Sequence, residues 1–381
     1  MSLIYLDHAA TTPMLESAII AMTNQLARLG NPSSLHSHGR ATRKTLEDAR
    51  ESLAKEVGCL PSEVIFTASG TEANNIALKG LFWAGRNFGK NIVVISSIEH
   101  RAILDPAHWL STHEGAEVIQ IPVNGNGVID LAFLKDLIAS RGDEISVIST
   151  MHANNETGVI QPIADIVAIA GSIPVHTDAV QSFKKAPLSF SLLGVTAMSL
   201  SAHKIGGPLG VGALILKRTV EIPSLLHGGG QEREIRSGTL NTPGIVAFTT
   251  AATSSHFNAA EVTMLRDRFI STVQKLIPDA TVNGLSSVRL PGIVNVTFPG
   301  TQSDTLLLLM DGEQISCSTG SACSAGVHEA SHVLLAMGHN DETAQSSLRF
   351  SFGATSKTSD CDFVTSALPD VIARARAAHL R

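Results

Sequence analysis

Short apolar runs alternate along the chain with segments whose apolar residues recur at helical spacing. Six runs bounded by turn residues are typical of strands: residues 64–67, 92–95, 118–121, 145–148, 173–176 and 197–200. Amphipathic helices are predicted between several of them, for example over residues 40–57 and 130–140. Strands that alternate with helices indicate an α/β fold with a mostly parallel sheet and helices on its faces.

The pattern changes near residue 250. A segment rich in Ala, Thr and Ser, residues 246–255, leads into a long helical pattern that runs through Lys275. Short predicted strands follow at residues 293–298, 315–318 and 348–352. This part predicts a smaller α+β domain. The length of 381 residues also favours two domains, because it is about twice that of a usual single domain.

Composition and charge exclude several classes of protein. Hydrophobic residues make up 44% and charged residues 16%, which favours a packed core over a disordered or coiled-coil chain. The net charge of −6 argues against a surface for direct nucleic-acid or anionic-membrane binding. The N-terminus lacks a basic segment followed by an apolar one, and no apolar run approaches the ~18 residues that span a bilayer. We therefore expect a cytoplasmic protein without a membrane partner.

The four cysteines are too few for a disulfide framework, and none forms a C-x-x-C pair. Cys323 lies centrally in a segment rich in Ser, Gly and Ala, whereas Cys317 falls in the preceding strand pattern. An accessible thiol in such a segment suits a nucleophile or a sulfur carrier. Metal ligation is the competing interpretation, but one cysteine without a clustered Cys or His partner makes a poor closed site. We expect no metal site formed by the protein alone.

Three turns that follow predicted strands carry complementary chemical groups. Gly70 and Thr71 open a helix whose free N–H groups suit a phosphate, although the same residues also form ordinary N-caps. Asp178 ends a strand, where it can pair with a protonated ring nitrogen or cap the next segment. Lys204 lies in a glycine-rich turn, where it can form a Schiff base or remain a solvated surface lysine. A phosphate cradle, a pyridinium partner and a Schiff-base lysine are what pyridoxal 5′-phosphate requires, so we predict this cofactor.

Two further turns add candidate groups. His100 follows another strand and can stack on the cofactor ring and shuttle protons, with an ordinary loop histidine as the alternative. A stacking histidine fits a chain in which aromatic residues are only 4%. Asn155 offers an amide to the cofactor's phenolic oxygen or to a substrate carboxylate, with an Asx turn as the alternative.

Seven motifs resemble the cysteine desulfurases of the NifS/IscS type, which are pyridoxal-phosphate-dependent enzymes related to the class V aminotransferases. The motifs are Tyr5-Leu6-Asp7-His8-Ala9-Ala10-Thr11-Thr12-Pro13, Gly30-Asn31-Pro32-Ser33-Ser34, Glu99-His100, Asn154-Asn155-Glu156-Thr157-Gly158, Ser201-Ala202-His203-Lys204, Arg236-Ser237-Gly238-Thr239 and Gly320-Ser321-Ala322-Cys323. The resemblance runs in order from Tyr5 to about residue 353. It implies the type I pyridoxal-phosphate-dependent transferase fold, with a mostly parallel seven-stranded sheet, in a homodimer whose active sites lie at the subunit interface. We expect a large cofactor-binding domain over residues 14–250 and a small domain over residues 1–13 and 251–381.

The resemblance also implies a role for each candidate residue. Lys204 would hold the cofactor, Asp178 and Gln181 would contact its ring nitrogen and phenolic oxygen, and His100 would stack on its ring and act as an acid or base. The phosphate would be bound by Gly70, Thr71, Ser201 and His203, with Thr239 reaching it from the other subunit. Asn155 and Arg349 would hold the substrate carboxylate, a bidentate role that suits arginine.

The implied activity is that of a sulfurtransferase of the EC 2.8.1.7 type, which removes sulfur from L-cysteine to give L-alanine and a persulfide on Cys323. Residues 316–335 resemble the group whose long loop carries the persulfide to acceptors such as an iron–sulfur scaffold or a tRNA-thiolation protein. Transient ligation of an iron–sulfur cluster by Cys323 is left open. Selenocysteine lyase, cysteine sulfinate desulfinase and aminotransferase are the nearer alternatives, and a non-catalytic sulfur-assembly scaffold is the distant one. Cys323 favours the desulfurase, because transamination needs no nucleophile there.

The chain departs from the family pattern in three places. Residues 67–72 read Thr-Ala-Ser-Gly-Thr-Glu where relatives often have Thr-Ser-Gly-Ala-Thr-Glu. The stretch between Asn155 and Asp178 is slightly shorter than usual, and Cys317 is an additional thiol near the loop. None of these departures removes a catalytic group.

Overall fold

A computed structural model describes residues 3–254, 256–320 and 330–379. The strands are β1 (Ile4–Tyr5), β2 (Val64–Thr67), β3 (Ile92–Ser96), β4 (Glu117–Ile121), β5 (Ile145–Ser149), β6 (Val175–Asp178), β7 (Ala197–Ser201), β8 (Gly212–Leu216), β9 (Thr281–Val282), β10 (Ile293–Thr297), β11 (Ile315–Ser316) and β12 (Ser347–Ser351). The helices are α1 (Glu16–Leu26), α2 (Ser37–Val57), α3 (Gly70–Arg86), α4 (Arg101–Glu114), α5 (Leu131–Arg141), α6 (Ile163–Ala170), α7 (Phe190–Leu193), α8 (Thr242–Thr253), α9 (Ala259–Leu276), α10 (Ser303–Gly312), α11 (His332–Ala336), α12 (Asp341–Ala344) and α13 (Thr358–His379). Short 3-10 helices cover Pro61–Glu63, Gly142–Glu144 and Ala202–Ile205.

Seven strands form the large sheet, in the order β2-β8-β7-β6-β5-β3-β4. Pairing is parallel from β7 through β6, β5 and β3 to β4, while β8 runs antiparallel to both of its neighbours. The α/β class and the mostly parallel seven-stranded sheet are therefore confirmed. The carboxyl ends of the parallel strands meet at one edge, where open α/β sheets bind their ligands.

Local sequence signals explain where several helices begin and end. The Ser69 hydroxyl accepts a hydrogen bond from Glu72 N, which caps the start of α3. The Asp130 carboxylate caps α5 in the same way. Gly58 ends α2 with φ at 73°, a left-handed conformation that glycine adopts without strain. The helical pattern predicted through Lys275 is α9, which Asn258 caps, and the segment before it that is rich in Ala, Thr and Ser lies largely in α8, which ends at Thr253.

Both faces of the large sheet pack against helices, and a separate core lies between the C-terminal helices and a three-stranded antiparallel sheet of order β12-β10-β9. Ile4 and Leu6 belong to this separate core, since β1 pairs in parallel with β11. The N-terminal residues thus pack with the C-terminal part of the chain. The domain boundaries given above stay a prediction.

None of the helices in the described ranges is both long and apolar enough to cross a membrane.

Candidate active site

A cavity of about 420 Å³ opens at the carboxyl edge of the large sheet, within the size range of small-molecule sites. It is lined by ten of the residues singled out from the sequence: Gly70, Thr71, His100, Asn155, Asp178, Gln181, Ser201, His203, Lys204 and Arg349. These residues come from segments spread over 280 positions of sequence, from Gly70 on α3 to Arg349 on β12. The structure therefore brings the predicted cofactor and substrate groups into one place.

Asp178 ends β6 and is buried at the cavity wall. One carboxylate oxygen accepts a hydrogen bond from Val180 N at 2.9 Å, and the other accepts one from Asn74 Nδ2 at 2.6 Å. These bonds fix the orientation of the carboxylate at the cavity wall. Sequence reasoning missed Asn74, although it follows Gly70 by four residues and so shares the cavity-facing side of α3.

The small residues at the start of α3 allow the turn to pack closely against the sheet. A Cβ atom at Gly70 would lie 2.7 Å from Val180 Cγ2 and 3.3 Å from Ser201 Cβ. The N-terminal N–H groups of α3 and the buried Ser201 hydroxyl border the same part of the cavity. This arrangement suits a phosphate, and the predicted phosphate-binding role of these residues stays a prediction. Burial lowers the pKa of His203 to about 4, so its ring contributes as a neutral hydrogen-bonding group.

Lys204 lies in the short 3-10 helix that follows β7. Its Nζ donates hydrogen bonds to the carbonyl oxygens of Ala9 and Ala10, at 2.6 and 2.7 Å. Burial and the charge of Arg349 lower the pKa of Lys204 to about 8, against the opposing effect of Asp7 and Asp178. A larger fraction of this amine is uncharged near neutral pH than for an ordinary lysine, which is the state that attacks a carbonyl.

His100 caps the start of α4, because its Nδ1 accepts a hydrogen bond from Ala102 N at 3.0 Å. In the neutral ring the proton therefore lies on Nε2. Burial lowers the pKa of His100, so the neutral form predominates at neutral pH. A neutral imidazole beside Lys204 and Asp178 can both stack on a planar ligand and exchange a proton.

Arg349 lies on β12 and its side chain is only 6% exposed. Its guanidinium donates to Asp7 Oδ1 at 2.7 Å and to the Asn155 carbonyl oxygen at 2.9 Å. Within the described ranges, Nε of Arg349 is buried without a hydrogen-bond partner. An oriented guanidinium with an unsatisfied donor at a cavity wall suits a carboxylate ligand. Sequence reasoning missed Asp7, which is 342 residues away along the chain.

The sequence left two interpretations open for this segment, an Asx turn and a group that faces a ligand, and two neighbouring asparagines account for one each. The Asn154 side chain accepts from the backbone N–H groups of Glu156 and Thr157, both at 2.9 Å, so this residue forms the Asx turn. Asn155 lines the cavity instead. The turn therefore positions Asn155 beside the guanidinium of Arg349.

His332, at the start of α11, lines the cavity but was not singled out from the sequence. Its Nε2 donates to the Glu99 carbonyl oxygen at 2.9 Å. The Glu99 carboxyl is buried and accepts from Met151 N at 2.7 Å, and burial raises its pKa well above the usual range. A single histidine in an otherwise unremarkable helical pattern carries no local signal of this placement.

Cys323 lies outside the described residues. The described residues on either side of it, Ser318 and Gly320 before and Ala330 and His332 after, line the cavity. The additional thiol, Cys317, is buried, and burial raises its pKa to about 12. Cys317 is thus a neutral thiol at physiological pH and a poor nucleophile.

Thr239 is exposed and is not among the residues that line the cavity. A single chain therefore does not bring Thr239 to the phosphate-binding turn. The prediction that Thr239 acts from another subunit stays a prediction.

The donor set fits pyridoxal 5′-phosphate. Helix N–H groups and Ser201 suit the phosphate, the Asp178 carboxylate suits a protonated ring nitrogen, and Lys204 supplies the amine. Gln181 donates to the Ala9 carbonyl oxygen at 2.8 Å, while its Oε1 is buried without a partner among the residues that the structure describes. Buried polar atoms are normally hydrogen-bonded, so this atom is available to a polar ligand at the cavity wall.

Comparison with known proteins gives consistent results. Residues 4–364 match the family described as aminotransferase class-V. The chain is 46% identical to an IscS-like cysteine desulfurase of Mycobacterium tuberculosis, over 99% of this chain and 98% of that protein. Among solved structures, it resembles a NifS-like protein with a TM-score of 0.89 and 34% identity, over 98% of this chain and 100% of that one. It also resembles SspA in complex with cysteine, with a TM-score of 0.80 and 32% identity, over 92% and 98% of the two chains.

Proposed function

The chain belongs to the aminotransferase class-V family, among the cysteine desulfurases of the IscS and NifS type, and from this we propose that it removes sulfur from L-cysteine. The products are L-alanine and a persulfide on Cys323. One observation carries the proposal: a single cavity contains Lys204, whose pKa is lowered, the hydrogen-bonded carboxylate of Asp178 and the buried guanidinium of Arg349. The described residues on both sides of Cys323 also line this cavity.

Pyridoxal 5′-phosphate is the proposed cofactor. Lys204 would hold it covalently, Asp178 and Gln181 would contact its ring, and its phosphate would lie against Gly70 and Ser201. When bound, the cofactor supplies an electron sink for the pair of electrons left on the substrate carbon.

Other residues of the same cavity would hold the substrate. Arg349 binds the carboxylate through its unsatisfied donor, while Asp7 and the Asn155 carbonyl keep the guanidinium oriented. Orienting the substrate in this way lowers the barrier, because the entropy of alignment is lost on binding. Lys204 moves the proton at the substrate's α-carbon, and neutral His100 accepts or donates the proton of the substrate thiol.

Cys323 takes the sulfur. Its thiolate forms a new S–S bond to the sulfur of cysteine while the C–S bond of the substrate breaks. The electron pair of that bond stays on the carbon, which is protonated to give alanine. Cysteine and the Cys323 thiol thus become alanine and the Cys323 persulfide, and no external oxidant or reductant is consumed. We propose that the persulfide sulfur then passes to acceptor proteins for iron–sulfur cluster assembly or tRNA thiolation.

An assay of the chain loaded with pyridoxal 5′-phosphate tests this function. With L-cysteine and a thiol reductant, we expect alanine and sulfide in equal amounts. Without the reductant, we expect one added sulfur atom per chain, located at Cys323 by peptide mass spectrometry. Alanine formed only from selenocysteine or from cysteine sulfinate would replace the proposal with one of those activities. 3-Mercaptopyruvate with amination of the cofactor would replace it with transamination.

We also propose a homodimer, in which Thr239 of each chain reaches the phosphate site of the other. The first support is that Thr239 is exposed and does not line the cavity of its own chain. The second is apolar surface on and beside α1, where Ile20, Leu29 and Leu35 are 53%, 79% and 83% exposed. Light scattering is expected to give twice the mass of one chain. A single-chain mass at micromolar concentration, in a protein that is fully active, would contradict the proposal.

The matched variants separate the two parts of this proposal. Leu35→Glu is expected to lower the measured mass toward that of one chain, because a buried charge opposes association. Thr239→Ala is expected to leave the mass unchanged and to weaken retention of the cofactor by a few-fold, as for the loss of one hydrogen bond.

A further inference from the structure

A second, much smaller cavity borders Lys204. Its volume is about 20 Å³, which is enough for one water molecule. Lys204 lines this cavity as well as the large one. Lys185 lines the small cavity too, together with His8 and Thr12 from the N-terminal segment. Lys184 also lines the small cavity, so three lysines border it, and Lys204 is the one that also lines the large cavity.

Lys184 and Lys185 follow each other but differ in their surroundings. Lys184 forms an ion pair with Glu56, with Nζ 2.8 Å from Oε2. Among the described residues we find no ion pair or hydrogen bond for the amine of Lys185, which is half-buried. Lys184 is thus neutralised by a carboxylate, whereas Lys185 has no such partner. A buried amine without a carboxylate partner favours its neutral form.

The carboxylate of Glu56 on α2 lines a further cavity together with Lys185, but it is paired with Lys184. The other charged and titratable groups around Lys185 come from five elements and are all bases. They are Lys184 on its own turn, His203 and Lys204 after β7, Arg349 on β12, His8 in the N-terminal segment, and His256 before α9. Asp7 and Asp178 act on Lys204 in the opposite sense. Lys204 therefore has carboxylates that favour its proton, whereas Glu56, the carboxylate that shares a cavity with Lys185, is paired with Lys184.

Burial, together with the charges of Lys204 and Arg349, lowers the pKa of Lys185 to about 7. That of Lys204 is lowered to about 8. Two amines that titrate this close together behave as a pair, and the charge of one opposes protonation of the other. The two amines therefore compete for a proton near neutral pH.

We propose that Lys185 is a positioning residue for Lys204: the two amines share one proton across the small cavity, and Lys185 takes it when Lys204 acts as a free base. The proton moves from Lys204 Nζ to Lys185 Nζ and returns, so the charge of the pair is unchanged and no other reactant is needed. This inference rests on the proposed role of Lys204 as the lysine that holds the cofactor and moves the substrate proton.

Two substitutions of opposite electrostatic effect test it. Lys185→Arg places a permanent charge beside Lys204, and Lys185→Met removes the second proton site. The midpoint for deprotonation of Lys204 is measured on the full-length chain freed of cofactor, from the pH dependence of its acetylation by acetic anhydride, read by peptide mass spectrometry. We expect the Arg variant to move the midpoint down by about half a pH unit to one unit, and the Met variant to move it up. Lys184→Arg keeps the positive charge and can keep the ion pair with Glu56, so it is the control and should leave the midpoint unchanged.

A second measurement follows the loaded enzyme. The acid limb of kcat for alanine formation should shift in the same two directions, with KM for cysteine unchanged. Midpoints that stay at the wild-type value, or that move in the same direction in both variants, would show that Lys185 only fills space, and the proposal would be overturned. Acetylation involves no substrate, so its result stands or fails independently of the desulfurase activity.

Discussion

Replacing Cys323 by serine is expected to stop alanine formation from L-cysteine. The serine hydroxyl cannot form the S–S bond that removes sulfur from the substrate, so the rate should fall at least about a hundredfold, as for loss of a catalytic nucleophile. Binding of pyridoxal 5′-phosphate should not change, because none of the cofactor groups assigned here includes this thiol. The measurements are alanine by chromatography, the sulfur mass on the peptide that contains Cys323, and the visible absorption of the bound cofactor.

Cys317→Ser is the matched control, since it removes the neighbouring thiol by the same chemical change. Cys317 is buried with a raised pKa, so its loss should leave alanine formation within about twofold of the wild type. The reverse pattern, with an active Cys323→Ser and an inactive Cys317→Ser, would move the sulfur to Cys317. A Cys323→Ser variant that desulfurates cysteine at the wild-type rate would remove the persulfide from the mechanism.

The parts of the site that follow directly after parallel strands could be predicted from the sequence. Asp178 ends β6, Lys204 follows β7 and His100 follows β3, and the carboxyl ends of these strands share one edge of the sheet. Once apolar runs identify the strands, the meeting of their end residues follows from parallel pairing. Strand β8 was not predicted from the sequence. It runs antiparallel to its neighbours and contributes no group to the cavity lining.

The residues that hold these groups in place could not be predicted in this way. Asp7 reaches Arg349 because two-residue β1 pairs with β11, and so short a strand has no detectable period. Lys185 follows Asp178 by seven residues, but the small cavity beside it is enclosed by residues far apart in the chain, among them His8, His256 and Gly353. Both depend on contacts between distant parts of the chain, which local patterns do not encode.

Replacing Lys204 by alanine is the other change with a large expected effect. The variant lacks both the covalent attachment of the cofactor and the group that moves the α-proton, so alanine formation should fall by about two to four orders of magnitude. The cofactor should also be lost on gel filtration, because only hydrogen bonds and ion pairs would hold it. Its absorption is therefore measured before and after filtration, alongside the rate.

Lys204→Arg keeps the positive charge and is the variant to compare with Lys204→Ala. Arginine remains protonated above pH 12, so it cannot attach the cofactor or serve as a base, although it can still donate to the Ala9 and Ala10 carbonyl oxygens. Both variants should thus be inactive, while the Arg variant should keep more of the wild-type thermal stability. Added methylamine should restore part of the rate in the alanine variant, where it fits the vacated space, and not in the arginine variant. Equal activity of either variant and the wild type would show that another residue holds the cofactor.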